Sequence, residues 1–275
     1  MSIHIDRRQL IRSTSALGLM LGAGYLASRA DDARAMWAKK VVHKADIKAD
    51  AKMAEAILNS PHRPEADKKR DVHRKPAETM AFFGIKPGMT VGELMTSRGY
   101  FTAVLAEAVG DKGKVYGQNN KWLRDRIKDT NRPLGELITK GGYTNIIEQN
   151  TELEDLQLPA GQLDAIFVVM FYHDLYWLGI DRAAMNKSVM AALKPGGIYG
   201  IIDHHAAPGM GIMDVNKNHR IERQEVVDDV TKAGFELAEE TDLLENPKDP
   251  LNVTVFQQEI RGTTNQFVLK FKKPV

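Results

Sequence analysis

Residues 89–102, Met89-Thr90-Val91-Gly92-Glu93-Leu94-Met95-Thr96-Ser97-Arg98-Gly99-Tyr100-Phe101-Thr102, constrain the fold more than any other stretch of the chain. Residues 91–95 predict a buried strand, and Gly99 marks a tight turn after it. Phe101, Val104, Leu105, Ala108 and Val109 then recur at i, i+3, i+4, i+7 and i+8, the apolar face of an amphipathic helix. Gly110 supplies a left-handed stop. A strand that feeds a helix through such a turn is the first βα unit of a doubly wound sheet. There the helix N-terminus offers free N–H groups and a positive dipole end to an anionic ligand. A Gly-x-Gly-x-Gly turn would place glycines where Met95 and Ser97 stand; only Gly99 is in place.

The rest of the chain continues the alternation of strands and helices. Short strands are expected at 114–118 and 145–149, with a helical stretch over 122–140 interrupted at Pro133. Residues 164–170 read as a strand whose run from Ala165 to Met170 is continuously apolar, the mark of a strand buried on both faces. Met185, Val189 and Met190 lie on the following helix as core filler. Leu193-Lys194-Pro195-Gly196-Gly197 then turns the chain into a fifth strand at 198–203. A helix over 221–233 points Val226, Val227 and Val230 inward, a further strand begins at Phe235, and residues 266–272 alternate as a last strand. Ahead of the sheet, residues 36–60 read as a polar helix, Pro61-His62-Arg63-Pro64 breaks it, and residues 66–75 form a charged helix. Pro76 opens another that closes at Gly84.

The N-terminus reads as an export signal. Asp6-Arg7-Arg8-Gln9-Leu10-Ile11-Arg12 resembles the twin-arginine motif, and the apolar run over 16–27 is too short to span a bilayer. Ala33-Arg34-Ala35 fits a small-x-small cleavage site, as does Ser28-Arg29-Ala30. The expected organisation is a signal peptide over 1–35, a helical segment over 36–75 and an α/β domain over 76–275, with the mature protein in the periplasm and no stable membrane span after processing. Residues 1–35 hold five of the 38 basic and three of the 36 acidic residues, so the remainder is neutral and offers no basic field for nucleic acid. The absence of cysteine excludes disulfides, thiolate catalysis and Cys-ligated zinc.

The order of elements, with Leu193-Lys194-Pro195-Gly196-Gly197 before the fifth strand and Ala233-Gly234-Phe235 before the sixth, resembles class I S-adenosylmethionine-dependent methyltransferases. More narrowly, Pro76-Ala77-Glu78-Thr79, Tyr172-His173-Asp174-Leu175-Tyr176, Asp203-His204, His219-Arg220-Ile221, and Arg261-Gly262 with Gln266-Phe267-Val268 resemble a family of exported methyltransferases. The resemblance runs from about residue 61 to the C-terminus. It implies a doubly wound, mostly parallel, seven-stranded Rossmann-like sheet preceded by helices, S-adenosylmethionine as cofactor, and a small-molecule acceptor. Cofactor contacts are then expected from Glu93, Thr96, Ser97, Gly99, Tyr100, Gln118 and Asn119. The chain departs from the family at the turn, where Thr96, Ser97 and Arg98 replace a proline and two glycines. It departs again at the end of the second strand, where Gln118 and Asn119 replace the acidic residue that grips the ribose.

In that sheet order the fourth and fifth strands lie beside the first, so His173-Asp174 and Asp203-His204-His205 converge at one edge. His173 or His204, oriented by Asp174 or Asp203, would serve as the base that methyl transfer to a hydroxyl or amine needs. Alternatively, Asp174 caps the next helix and His204 packs. The same cluster with His219 has metal-ligand chemistry, but no tight His-x-x-x-His spacing supports a site, and none is expected. Arg74 and Arg261 are candidates to hold an anionic substrate group. A different reading keeps the fold and loses methyl transfer: a repurposed ligand-binding protein.

Overall fold

A computed structural model describes residues 40–128 and 133–275. The export signal expected over 1–35 lies outside the described residues. Along the chain the strands are β1 (Val41–Val42), β2 (Thr90–Leu94), β3 (Lys114–Gln118), β4 (Ile146–Gln149), β5 (Leu163–Val169), β6 (Leu193–His204), β7 (Glu236–Thr241) and β8 (Gln266–Lys272). The α-helices are α1 (Ala51–Leu58), α2 (Glu65–Lys68), α3 (Asp71–Arg74), α4 (Pro76–Phe83), α5 (Tyr100–Val109), α6 (Lys121–Ile127), α7 (Leu134–Gly141), α8 (Tyr172–Trp177), α9 (Arg182–Ala192) and α10 (Arg223–Lys232).

The strands form one sheet in the order β1-β7-β8-β6-β5-β2-β3-β4. Every pairing is parallel except those of β8, which runs antiparallel between β6 and β7. The order reverses between β2 and β5, which places a topological switch point at the C-terminal end of β2. Core residues alternate along the strands. Ile166 and Val168 of β5 join a layer with Met185 and Val189 of α9 and Val226 and Val230 of α10. Ala165 and Phe167 join the opposite layer, with Met80 and Phe83 of α4, Val104 and Leu105 of α5, and Ile57 of α1. Burial on both faces is why β5 reads as an unbroken apolar run from Ala165 onward.

The sheet has eight strands rather than the expected seven. The eighth is β1, which adds to the edge through Val41 opposite Glu240 and Val42 opposite Thr241. Residues 36–60 were expected to be helical; within their described part the α-helix is confined to Ala51–Leu58, and Asp50 caps it by accepting from the Met53 N–H at 3.0 Å. Two β-branched residues are too short a run to show a period, and the sheet edge decides their conformation. The helix expected from residue 221 begins at Arg223, because Ile221 instead bridges to His205. No helix among the described residues is long and apolar enough to cross a membrane.

Candidate active site

The turn between β2 and α5 takes a left-handed backbone at three positions, only one of which is a glycine. Met95, Ser97 and Gly99 all lie in the left-handed region, with φ of 54°, 54° and 78°. For Met95 and Ser97 that conformation costs about 1–2 kcal/mol each. Bonds from the end of β3 hold it in place. The Met95 N–H donates to Gln118 Oε1 at 3.1 Å, and the Ser97 N–H donates to Asn119 Oδ1 at 2.9 Å. The Thr96 N–H donates to the Gln118 carbonyl at 3.1 Å. Gly99 is required twice over: besides its φ, a Cβ there would stand 2.6 Å from Leu137 and 2.8 Å from Leu134. Thr96 Oγ1 is buried and has no hydrogen-bond partner among the described residues. Arg98 is exposed.

Gln118 and Asn119 are buried, and their side chains turn inward to the loop; Gln118 Nε2 also donates to the Thr151 carbonyl at 2.6 Å. Glu93, near the end of β2, accepts from the Thr102 hydroxyl. Burial pushes its carboxyl up to about 8, partly opposed by Thr102 and the Arg74 charge. Tyr100 donates to Asp71 Oδ1 at 2.6 Å, and its ring lies 4.6 Å from the Arg74 guanidinium and 4.7 Å from that of Arg70. Burial, then the neighbouring Arg70 charge, lowers Arg74 to about 10. Arg74 also reaches Met170 Sδ at 3.3 Å, whereas Arg261 is exposed.

Asp203, fully buried near the end of β6, organises the second half of the site. Its carboxylate accepts from the His173 N–H and the His204 N–H, each at 2.8 Å, and from His173 Nδ1 at 2.7 Å. The chain reaches α8 through Met170, itself left-handed at φ 55°, whose N–H bonds to the Ile202 carbonyl at 2.7 Å. The other ring nitrogen of His173, Nε2, lies 3.1 Å from Asp174 Oδ1 and 3.2 Å from His219 Nδ1. His219 Nδ1 is 3.0 Å from the same Asp174 oxygen, which also accepts from Trp177 Nε1 at 2.7 Å. His204 stands with its ring centroid 5.9 Å from that of His173, and its Nδ1 pairs with Thr264 Oγ1 at 2.7 Å.

The expected convergence of His173, Asp174, Asp203 and His204 is therefore present at the edge formed by β5 and β6, next to β2. Asp174 does not cap α8, because it lies inside the helix and its carboxylate turns to Trp177 and His219. Burial alone would lower His173, but the Asp203 and Asp174 carboxylates outweigh it and raise the imidazole to about 10. Asp174 is likewise opposed by burial, and the facing His173, His219 and Trp177 donors hold it well below the usual carboxylate range. Burial lowers His204 to about 3; Asp203 opposes this, while the His173 and Arg charges add to it.

Three supports were not evident from sequence. Trp177 lies three residues after Asp174, a helical spacing visible only once α8 is known. Thr264 meets His204 because β8 runs antiparallel to β6, with His204 opposite Gln266. Buried Arg220 anchors the loop that carries His219 through two bonds to Asp249, at 3.0 and 2.9 Å, and others to the His205 and Val253 carbonyls.

No family model matches the chain. Over 121 residues it is 31% identical to the ubiquinone/menaquinone biosynthesis C-methyltransferase UbiE of Shewanella sp. (strain W3-18-1), a match that covers 43% of this chain and 44% of that protein. The chain thus spans less than half the length of the curated relatives it matches. Among solved structures it is similar to a SAM-dependent methyltransferase from Aquifex aeolicus, with a TM-score of 0.56, 21% identity, and coverage of 78% of this chain and 96% of that one. It is also similar to the cyclase SpnF, with a TM-score of 0.54, 12% identity, and coverage of 87% and 99%. The parallel sheet with its single antiparallel strand, the strained turn at the switch point and these neighbours together establish that the chain has the Rossmann-like fold of the class I methyltransferases.

Proposed function

We propose that the protein is an S-adenosylmethionine-dependent methyltransferase acting on a small molecule. The observation that carries this reading is the β2–α5 turn. A chain with no need of a glycine-rich loop would relax Met95 and Ser97, yet both stay left-handed at the switch point of a methyltransferase fold. The residues fit the cofactor at its amino-acid end. The first N–H groups of α5, on Tyr100 and Phe101, have no partner within the helix and suit a carboxylate, while Thr96 Oγ1 is a buried polar atom awaiting one. When bound, the cofactor supplies an electrophilic methyl group on a sulfonium. Acceptor binding falls to the buried cluster, where Asp203 fixes the His173 ring and His204 faces it.

The second reading, a repurposed ligand-binding protein on the same fold, is favoured by one observation: Gln118 and Asn119 are occupied by the turn, and no carboxylate ends β3. The resemblance to the cyclase SpnF agrees with a fold open to other uses. Calorimetry separates the two. The purified chain is expected to bind S-adenosylmethionine and S-adenosylhomocysteine. No binding of either would leave only the second reading.

A further inference from the structure

His173, Asp174 and His219 together do something the methyl-transfer reading does not require. Their three facing atoms, His173 Nε2, His219 Nδ1 and Asp174 Oδ1, are 3.0, 3.1 and 3.2 Å apart, an almost equilateral triangle of electron-rich donors. Hydrogen bonding serves this arrangement poorly. Asp174 Oδ1 already takes the Trp177 Nε1–H, so two more ring donors crowd one oxygen while standing 3.2 Å from each other. One cation on the axis of the triangle would replace the ring protons there and use all three lone pairs at once. Donors about 2.0–2.2 Å from a metal stand about 2.8–3.1 Å apart on an octahedral face and about 3.3–3.6 Å apart on a tetrahedral one. Two of the observed edges fall within the octahedral range and the third lies just above it.

We infer that His173, Asp174 and His219 bind one divalent first-row transition-metal ion, as a two-histidine, one-carboxylate face with open positions. The surroundings are those of a built site. His173 Nδ1 is held by Asp203 at 2.7 Å, the carboxylate–histidine arrangement that fixes which nitrogen is free for a metal. Asp174 is oriented by Trp177, and His219 is pinned by the ring of Phe256 at 4.8 Å and by the anchored Arg220 beside it. The His219 side chain is 22% exposed, which gives the ion a way in from solvent. Three protein ligands leave positions for water or a substrate oxygen, as in metal sites that act on ligands rather than those that only brace a fold. The spacing is invisible in the sequence because His219 comes from a loop 45 residues after Asp174.

The test uses the full chain without an affinity tag, stripped with chelator and then titrated calorimetrically with Zn2+, Mn2+, Fe2+ under anaerobic conditions, and Mg2+, with no cofactor present. It is therefore independent of methyl transfer. One equivalent of a transition ion should bind, with Mg2+ much weaker. His219→Ala should weaken that binding by roughly a hundredfold or more, Asp174→Asn should weaken it similarly, and the exposed His43→Ala should change nothing. Co2+ loaded into the original protein should give d–d absorption bands, which carries the test even if a variant fails to fold. Absence of a stoichiometric site, affinity unchanged in both site variants, or a Co2+ spectrum identical to the aqueous ion would overturn the inference.

Discussion

At Glu93 burial decides the protonation state. The carboxyl is raised from its ordinary 4.5 to about 8, with the Thr102 hydroxyl and the Arg74 charge as the neighbours that oppose the shift. Below about 4.5 the folded and unfolded chains both hold the proton, and Glu93 adds nothing to the pH slope. Between the two values only the folded chain holds it, so this contribution to stability is lost as pH rises through about 8. Glu93→Gln keeps the shape and removes the titration. Unfolding free energies from urea titrations at several pH values should therefore fall less steeply in the variant, by up to about 1.4 kcal/mol per pH unit across that window. Parallel profiles would show that Glu93 is ionised in the folded protein. Glu93 was legible in sequence as the middle residue of a buried strand and, through the resemblance, as a cofactor contact. Its Thr102 partner was not named as one, since its contact with Glu93 depends on how α5 docks against β2.

The β2–α5 turn is where local preference and tertiary structure disagree. Ser97 holds a left-handed backbone against its own steric cost, whereas Gly99 holds one without it. Ser97→Gly should therefore stabilise the protein by about 0.5–1 kcal/mol, the strain relieved less the added freedom of the unfolded chain. Gly99→Ala should destabilise it by about 2–5 kcal/mol, because its Cβ meets Leu134 and Leu137 as well as the backbone penalty. Equilibrium urea unfolding measures both, and a destabilised Ser97→Gly would mean that the turn is not strained. A Gly-x-Gly-x-Gly turn would place glycines at 95 and 97, where this sequence has Met95 and Ser97. The left-handed backbone is held there because Gln118 and Asn119, at the end of the neighbouring strand, bond to the Met95 and Ser97 N–H groups. Residue identity alone does not say which way a strand-end amide points, so the same two residues could be read as facing a ligand. β1 escaped notice for a related reason: Val41 and Val42 become a strand only because the edge of β7 is there to receive them.

Across the whole molecule the pattern that survives from sequence to structure is burial. Apolar runs identified the central strands, and the resemblance to class I methyltransferases implied the order of β2, β5 and β6 that the sheet has. That order alone brings His173 and Asp203 together from 30 residues apart. What sequence did not carry is anything set by a loop returning from far along the chain, such as the seat of His219. The cofactor is proposed to bind at the strained turn at the switch point. Hydrogen exchange followed by mass spectrometry, with and without S-adenosylhomocysteine, locates the ligand directly. Slowed exchange is expected at residues 96–102, with the rest of α5 unchanged, and weaker protection in Gly99→Ala if that variant folds. Protection confined instead to another surface, such as the cavity of about 570 Å³ lined by Asp181, Arg182, Lys187 and Asp229 between α9 and α10, would contradict it.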